Sequence, residues 1–315
     1  MITVLAGGVG AARFLAGLMR VVPPAEITVV VNTGDDVEMR GLWISPDLDT
    51  VTYTLAGAIN PSTGWGLEGE SWAAMGALAR YTPFAPAGSD AGQTWFGLGD
   101  KDLATHLYRT RRLDEGATIT EVTAEIVAAW GLGLRILPMS DQPVQTMVTV
   151  DGSEIGFQDY FVGRRHAVPV DGLRFAGAAV ARPGPDVLAA VSDADLVVVS
   201  PSNPLVSIGP IRAVSGIDQA LSTRRESVVA ISPIVAGAAL KGPADQMLAS
   251  LGHEVSVVGV ARLYSAIAAT LVVDTADADL APAVREAGME CVVAPTIMTG
   301  PAEAAALASA VLGAL

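Results

Sequence analysis

The sequence predicts an α/β protein: a Rossmann-like, doubly wound and mostly parallel sheet interrupted by an inserted helical and β-hairpin cap. Two observations carry that class. Short apolar strands alternate with helical stretches at both ends of the chain, and the middle loses this alternation. A third observation places the chemistry: the early strands run directly into loops of glycine or aspartate, and open α/β sheets gather ligands at the carboxyl ends of their strands. At 315 residues the chain exceeds one typical domain, and the expected division is a core of 1–61 and 181–315 with a cap of 62–180.

The elements follow in order. Residues 2–6 read as a buried strand, Gly7-Gly8-Val9-Gly10 as a tight loop, and 11–22 as a helix with Arg13 in its first turn. That order aims free amide N–H groups and a positive dipole end at whatever lies above the loop, so an anion, and most simply a phosphate, is the expected ligand. A second apolar strand, 27–31, ends in Asn32-Thr33-Gly34-Asp35-Asp36, with Pro46-Asp47-Leu48-Asp49-Thr50 soon after. The cap carries four of the five tryptophans, a helix over 102–112, and a hairpin in which Asp151-Gly152 joins 145–150 to 154–160. Its aromatics suit either a planar ligand or an ordinary core. Pro183-Gly184-Pro185 marks the return to the sheet. Strands are then expected at 196–200, 228–231, 255–258, 271–273 and 291–294, with helices at 210–221, 278–287 and from Pro301 onward.

Composition excludes several classes. Apolar residues make up 51% and charged residues 17%, a balance that packs a core and is foreign to disordered chains. No apolar run approaches the roughly eighteen residues a spanning helix needs, and no basic segment precedes Ile2, so a cytoplasmic protein without a membrane partner is expected. Cys291, the single cysteine, sits in an apolar run and reads as core. Three scattered histidines without cysteine partners argue against zinc, leaving oxygen ligands for any metal. A net charge of −14 disfavours nucleic acid, so anionic ligands must be held by local devices. The Ala-rich helical surface suggests self-association, most simply a homodimer.

Three strand-to-loop sites carry the candidate chemistry. Asp35, Asp36, Asp47 and Asp49 suggest a Mg²⁺ site, because carboxylates following a buried strand end beside a phosphate would repel it unless a divalent cation intervened. The run from Gly8 lacks the third glycine of the dinucleotide fingerprint, and Asn32 stands where a ribose-binding acid belongs, which disfavours an NAD-dependent oxidoreductase; a Walker ending is missing too. The loop Ser200-Pro201-Ser202-Asn203-Pro204-Leu205-Val206-Ser207 offers donors to a nucleotide, with a well-capped helix as the plain alternative. Lys241, one of only two lysines, lies beside Gly242-Pro243 as either a phosphate point charge or a solvated side chain.

These motifs together resemble the 2-phospho-L-lactate transferase family of coenzyme F420 biosynthesis, which includes actinobacterial enzymes that use phosphoenolpyruvate. The resemblance covers the whole length, through the glycine loop, Asn32 to Asp36, Pro46 to Thr50, Gly64-Trp65-Gly66, Trp95 to His106, Phe157-Gln158-Asp159-Tyr160-Phe161, Ser202 to Ile211 and Lys241-Gly242-Pro243. Ala11 departs from the glycine that actinobacterial relatives tend to carry. The resemblance implies a phosphotransferase for substituted phosphate groups. A GDP-activated phospholactate or phosphoenolpyruvate meets the deazaflavin Fo, whose terminal ribityl hydroxyl attacks the substituted phosphorus, and GMP leaves. It further implies catalytic roles for Asp35 and Asp49 and a metal set drawn from Asp35, Asp36 and Asp49, with Asp36 or Asp47 as ligand or base. Gly7, Gly8, Gly10, Ser202, Asn203, Ser207 and Lys241 would hold the GDP portion. Thr50, Tyr53, Trp65, Trp95 and His106 would face the deazaflavin, although His106 could instead pair with Asp102 four residues earlier. The alternative from the same superfamily is a nucleotide-sugar-binding regulator resembling the gluconeogenesis factor, which binds without turnover.

Overall fold

In the computed structural model, which describes residues 1–166 and 168–314, the sheet forms around two fully buried strands, β1 (Ile2–Ala6) and β2 (Ile27–Val31). Both faces of a parallel sheet are covered by helices, so such strands read as unbroken Val/Ile runs. Between them α1 (Gly8–Leu18) begins three residues earlier than expected, its first turn made of the glycines themselves and its N-cap the extended Gly7. After β2 the short hairpin of β3 (Val37–Met39) and β4 (Leu42–Ile44) turns at Arg40 and Gly41, both at positive φ. Next come α2 (Pro46–Leu55), α3 (Ala73–Leu78), α4 (Asp102–Asp114) and α5 (Ile119–Ala129), the last opened by a Thr118/Glu121 capping box.

β5 (Arg135–Pro138) then rejoins the main sheet, pairing parallel to β2 from Thr28↔Arg135 to Val31↔Pro138. Ile119 and Val127 of α5 and Ile136 of β5 belong to the same apolar cluster as Val4 and Val29. The division at 62–180 is therefore corrected: the region comprises two outer excursions separated by a core helix and strand, because an amphipathic helix must bury its apolar stripe on a sheet. The second excursion is a three-stranded antiparallel sheet, ordered β7–β6–β8, of β6 (Gln145–Val150), β7 (Ser153–Gly156) and β8 (Gly172–Ala176). The expected hairpin is present, but its second strand stops at Gly156 and a π-helical turn, Asp159–Gly163, follows.

The chain returns through α6 (Val187–Asp193), β9 (Leu196–Val199), α7 (Ile208–Ala213), α8 (Ile217–Thr223) and β10 (Val228–Ile231). Gly216, at φ 88°, splits the single helix expected over 210–221. A two-residue hairpin of β11 (Ile234–Val235) and β12 (Ala238–Ala239) precedes α9 (Ala244–Ser250) and α10 (Val257–Tyr264). β13 (Thr270–Val273), α11 (Ala281–Glu286), β14 (Glu290–Val293) and α12 (Pro301–Leu312) complete the fold. The expected strand at 255–258 is instead the start of α10, because the Ser256 hydroxyl accepts from the Val258 and Gly259 amides and caps a helix there.

Seven strands lie in the order β14–β13–β10–β9–β1–β2–β5, every neighbour pair parallel. Alternate residues serve opposite faces: Leu5, Val30 and Val199 point into one apolar cluster, Val4, Val29 and Val198 into the other. From β1 the chain winds first toward β5 and later, through β9, toward β14. The strand order thus reverses between β1 and β9, and their carboxyl ends frame the crevice in which such folds bind ligands.

Candidate active site

At that crevice the loops after β1 and β9 are pressed together. A Cβ on Gly10 would stand 2.2 Å from the Pro201 carbonyl oxygen, and one on Gly7 would stand 2.7 Å from Ser207 Cβ. The Ser202 hydroxyl donates to Gly7 O at 2.8 Å and the Ser200 hydroxyl to Leu5 O at 2.7 Å. Asn203 Oδ1 accepts from the Leu205 amide at 2.9 Å and its carbonyl accepts from the Ser207 amide at 3.1 Å. Ser202 and Asn203 are thus occupied in shaping the loops, while Ser207 lies beside the glycine turn. Lys241 reaches the same place: a Cβ on Gly64 would be 3.5 Å from its Nζ and 3.4 Å from Val9 Cγ1.

The acidic site begins where β2 ends. Asn32 is fully buried; its Oδ1 accepts from the Gly34 amide at 2.8 Å and its Nδ2 donates to Asp47 Oδ2 at 2.9 Å. Asp36 Oδ2 accepts from the Ser45 hydroxyl at 2.7 Å and the Trp43 indole at 3.1 Å. Asp35 Oδ1 and Asp36 Oδ1 are buried with no hydrogen-bond partner. Burial, then repulsion from Asp47 and Asp36, holds Asp35 well above the usual carboxylate range, with Thr146 and Asn32 opposing. Burial lifts Asp36 to about 7 against the Ser45 hydroxyl and the Arg109 charge. It lifts Asp47 to about 6 against the Asn32 amide and the Gly8 backbone. Uncompensated buried carboxylates are costly, and unpaired hard oxygens are the donors that Mg²⁺ takes. The chemistry of Asp35 and Asp36 therefore fits such an ion.

Asp49, also expected as a metal ligand, lies in a second cluster with Asp102 and His106. Both of its oxygens are held by the buried guanidinium of Arg109, the Nη1 contact at 3.1 Å. Arg109 Nη1 lies 3.3 Å from His106 Nδ1, His106 Nε2 lies 3.2 Å from Asp102 Oδ2, and the Tyr53 hydroxyl donates to Asp102 Oδ1 at 2.7 Å. Asp49, Asp102 and His106 are close enough to chelate a cation, but Arg109 already supplies the positive charge there. Arginine is only a donor, so in its contact with Arg109 the His106 Nδ1 is the accepting atom. Burial and then the Asp49 and Asp102 charges push the Tyr53 phenol far above its ordinary range, so it stays a donor.

Of the residues assigned to the deazaflavin, Tyr53 and His106 are thus buried in this network, and Thr50 is buried beside Asp49. Trp65 is 48% exposed and meets Trp72 edge-on with ring centroids 6.2 Å apart. Trp95 alone joins Asp35 and Asp36, in the wall of a cleft of about 270 Å³ whose other sides include Glu38, Phe157 and Gln158. A more open depression of about 460 Å³ at Ser222–Ser227 holds none of these residues. Sequence reading missed Arg109, and named Gln158 within the Phe157–Phe161 segment without giving it a role. Arg109 follows Asp102 by seven and His106 by three, a helical-face spacing that signals the network.

A sequence model described as 2-phospho-L-lactate transferase CofD matches residues 2–294. A Streptomyces griseus subsp. griseus protein named phosphoenolpyruvate transferase is 46% identical over 98% of this chain and 96% of its own length. Proteins of the same name from Streptomyces coelicolor and Mycolicibacterium smegmatis are 45% and 40% identical, covering 95% and 98% of this chain and 92% and 97% of theirs. A solved structure of a Bacillus halodurans protein superposes with a TM-score of 0.63 at 15% identity, over 99% of this chain and 98% of that one. A second structure of the same Bacillus halodurans protein, described there as a member of the UPF0052 family, gives 0.60 at 16% identity, with 99% and 98% covered. These two likenesses establish the fold alone. The family model and the curated relatives span nearly the whole length, glycine turn and aspartate loop included: the chain belongs to the 2-phospho-L-lactate transferase family.

Proposed function

We propose that this transferase acts in coenzyme F420 biosynthesis, moving a phosphoenolpyruvyl or phospholactyl group from its GDP-activated ester to the terminal ribityl hydroxyl of the deazaflavin Fo. The hydroxyl oxygen forms a bond to the phosphorus bearing the three-carbon acid, the bridging bond to the guanosine phosphate breaks, and GMP leaves. The observation that carries this reading is the adjacent pair Asp35 and Asp36, each with a buried, unpartnered carboxylate oxygen, at the strand end beside the glycine turn. The names of the relatives favour the enolpyruvyl group.

Asp35 and Asp36 would hold Mg²⁺, which when bound neutralises the diphosphate and the charge that develops on its oxygens. The α1 amides, Ser207 and Lys241 hold the guanosine diphosphate portion. Asp47, fixed by Asn32 and Gly8, orients the glycine turn, and Asp36 or Asp47 accepts the hydroxyl proton. Trp95 and Phe157 form the apolar wall against which the acceptor ring packs.

The test is incubation of the pure protein with Fo, Mg²⁺ and each guanosine ester in turn, with the deazaflavin product identified by mass. A phosphodiester from the enolpyruvyl ester is expected. No product from either ester, or full turnover under exhaustive chelation, overturns the reading; nucleotide binding without turnover would leave a regulator.

A further inference from the structure

The two aspartates of the pair are fixed by unequal means. Asp36 is held by its own carboxylate, through Ser45 and Trp43. Asp35 has a buried, unpartnered Oδ1; the Thr146 and Asn32 side chains act on its carboxylate, and further hydrogen bonds hold its backbone. On the core side Asn32 Oδ1 takes the Gly34 amide at 2.8 Å. From the outer excursion the Thr146 amide donates to Gly34 O at 2.7 Å, and Gln158 Nε2 donates to Asp35 O at 3.3 Å. A carbonyl only accepts, so the amide nitrogen of Gln158 is the end that faces it. Gln158 is buried and sits just before the π-helical turn. Gly34 has no slack: an added Cβ would meet Thr146 Oγ1 at 2.8 Å and Pro210 Cβ at 2.8 Å.

We infer that Gln158 is a positioning residue for divalent-cation binding: by holding the Asp35 carbonyl it sets where the Asp35 carboxylate points into the cleft. This rests on Asp35 and Asp36 being the cation-holding pair. Residues that orient a ligand from behind carry part of a metal site's affinity. The three-stranded antiparallel sheet thereby acquires a role beyond covering the core, because it fixes one of the two aspartates from outside.

The experiment uses the full chain stripped of metal, titrated with Mn²⁺ and followed by the spin-resonance signal of the free ion, alongside its unfolding temperature without metal. Gln158→Met keeps the length and removes the donor, and Gln158→Ala serves as a second variant. We expect Mn²⁺ affinity to fall by about tenfold or more in both, with kcat/KM falling in parallel and the metal-free unfolding temperature nearly unchanged. Parent-like affinity in variants that only unfold earlier would make Gln158 a packing contact and overturn the inference alone. A parent that binds no Mn²⁺ overturns the cation reading and this inference with it.

Discussion

Among single residues, Arg109 has the largest expected effect. Its guanidinium is 2% exposed and both of its outer nitrogens serve Asp49. Arg109→Met leaves Asp49 buried and uncompensated, so urea unfolding should show a loss of about 3–5 kcal/mol. The double variant Arg109→Met with Asp49→Asn should recover much of it, because neither charge is then left unpaired. The buried aspartates set a pH dependence of opposite sense to ordinary acid unfolding. Asp36 titrates near 7 in the folded protein and near 3.8 unfolded, so between those values the native state binds more protons. Stability of the metal-free protein should therefore be retained below about pH 4 and decline as the pH rises toward about 7. Calorimetry of chelated protein across that window measures the decline, and Asp36→Asn should flatten it and unfold later than the parent at neutral pH. The aspartates were legible because they follow a strand end. Their partners were not: Arg109 lies 60 residues from Asp49 and Gln158 lies 123 from Asp35, separations that local pattern does not bridge.

The elements differ in how plainly the sequence announces them. β1, β2, β9, β10 and β13 are covered on both faces and read as continuous apolar runs. β5 is an edge strand opening on an exposed Arg135 and closing on Pro138, residues that an edge tolerates and a central strand does not. β3 and β4, at three residues each, are too short to show a period. The run at 255–258 shows a local preference overridden: its β-branched valines favour a strand, but the Ser256 cap commits them to α10. Ser256→Ala should accordingly lower stability by about 0.5–2 kcal/mol in thermal unfolding. At the start of α1, Gly10→Ala would drive a methyl into the Pro201 carbonyl, and a loss of about 1–3 kcal/mol is expected with weakened GDP binding by calorimetry.

Across the whole molecule, charge is the argument for the proposed cation. The chain carries −14, and the cleft is lined by Asp35, Asp36, Glu38, Asp90 and Asp159 with no lysine or arginine among the described residues. An anionic diphosphate approaching it is repelled until the carboxylates are neutralised. Removing divalent cations should therefore weaken GDP binding in a calorimetric titration, and restoring Mg²⁺ should recover it. No helix among the described residues is long and apolar enough to cross a membrane. Tyr81 and Phe84 are 66% and 83% exposed, and the homodimer we propose would be detected by sedimentation velocity at two protein concentrations. The placement of β5 has a further consequence for engineering. Because 62–180 returns to contribute the outermost strand beside β2, excising or transplanting it as one cassette would unzip the sheet's border and fray the strand from which the aspartate loop springs. Chimeras with a relative should tolerate exchange of either outlying piece by itself, each cut made so that α5 and β5 stay with the recipient.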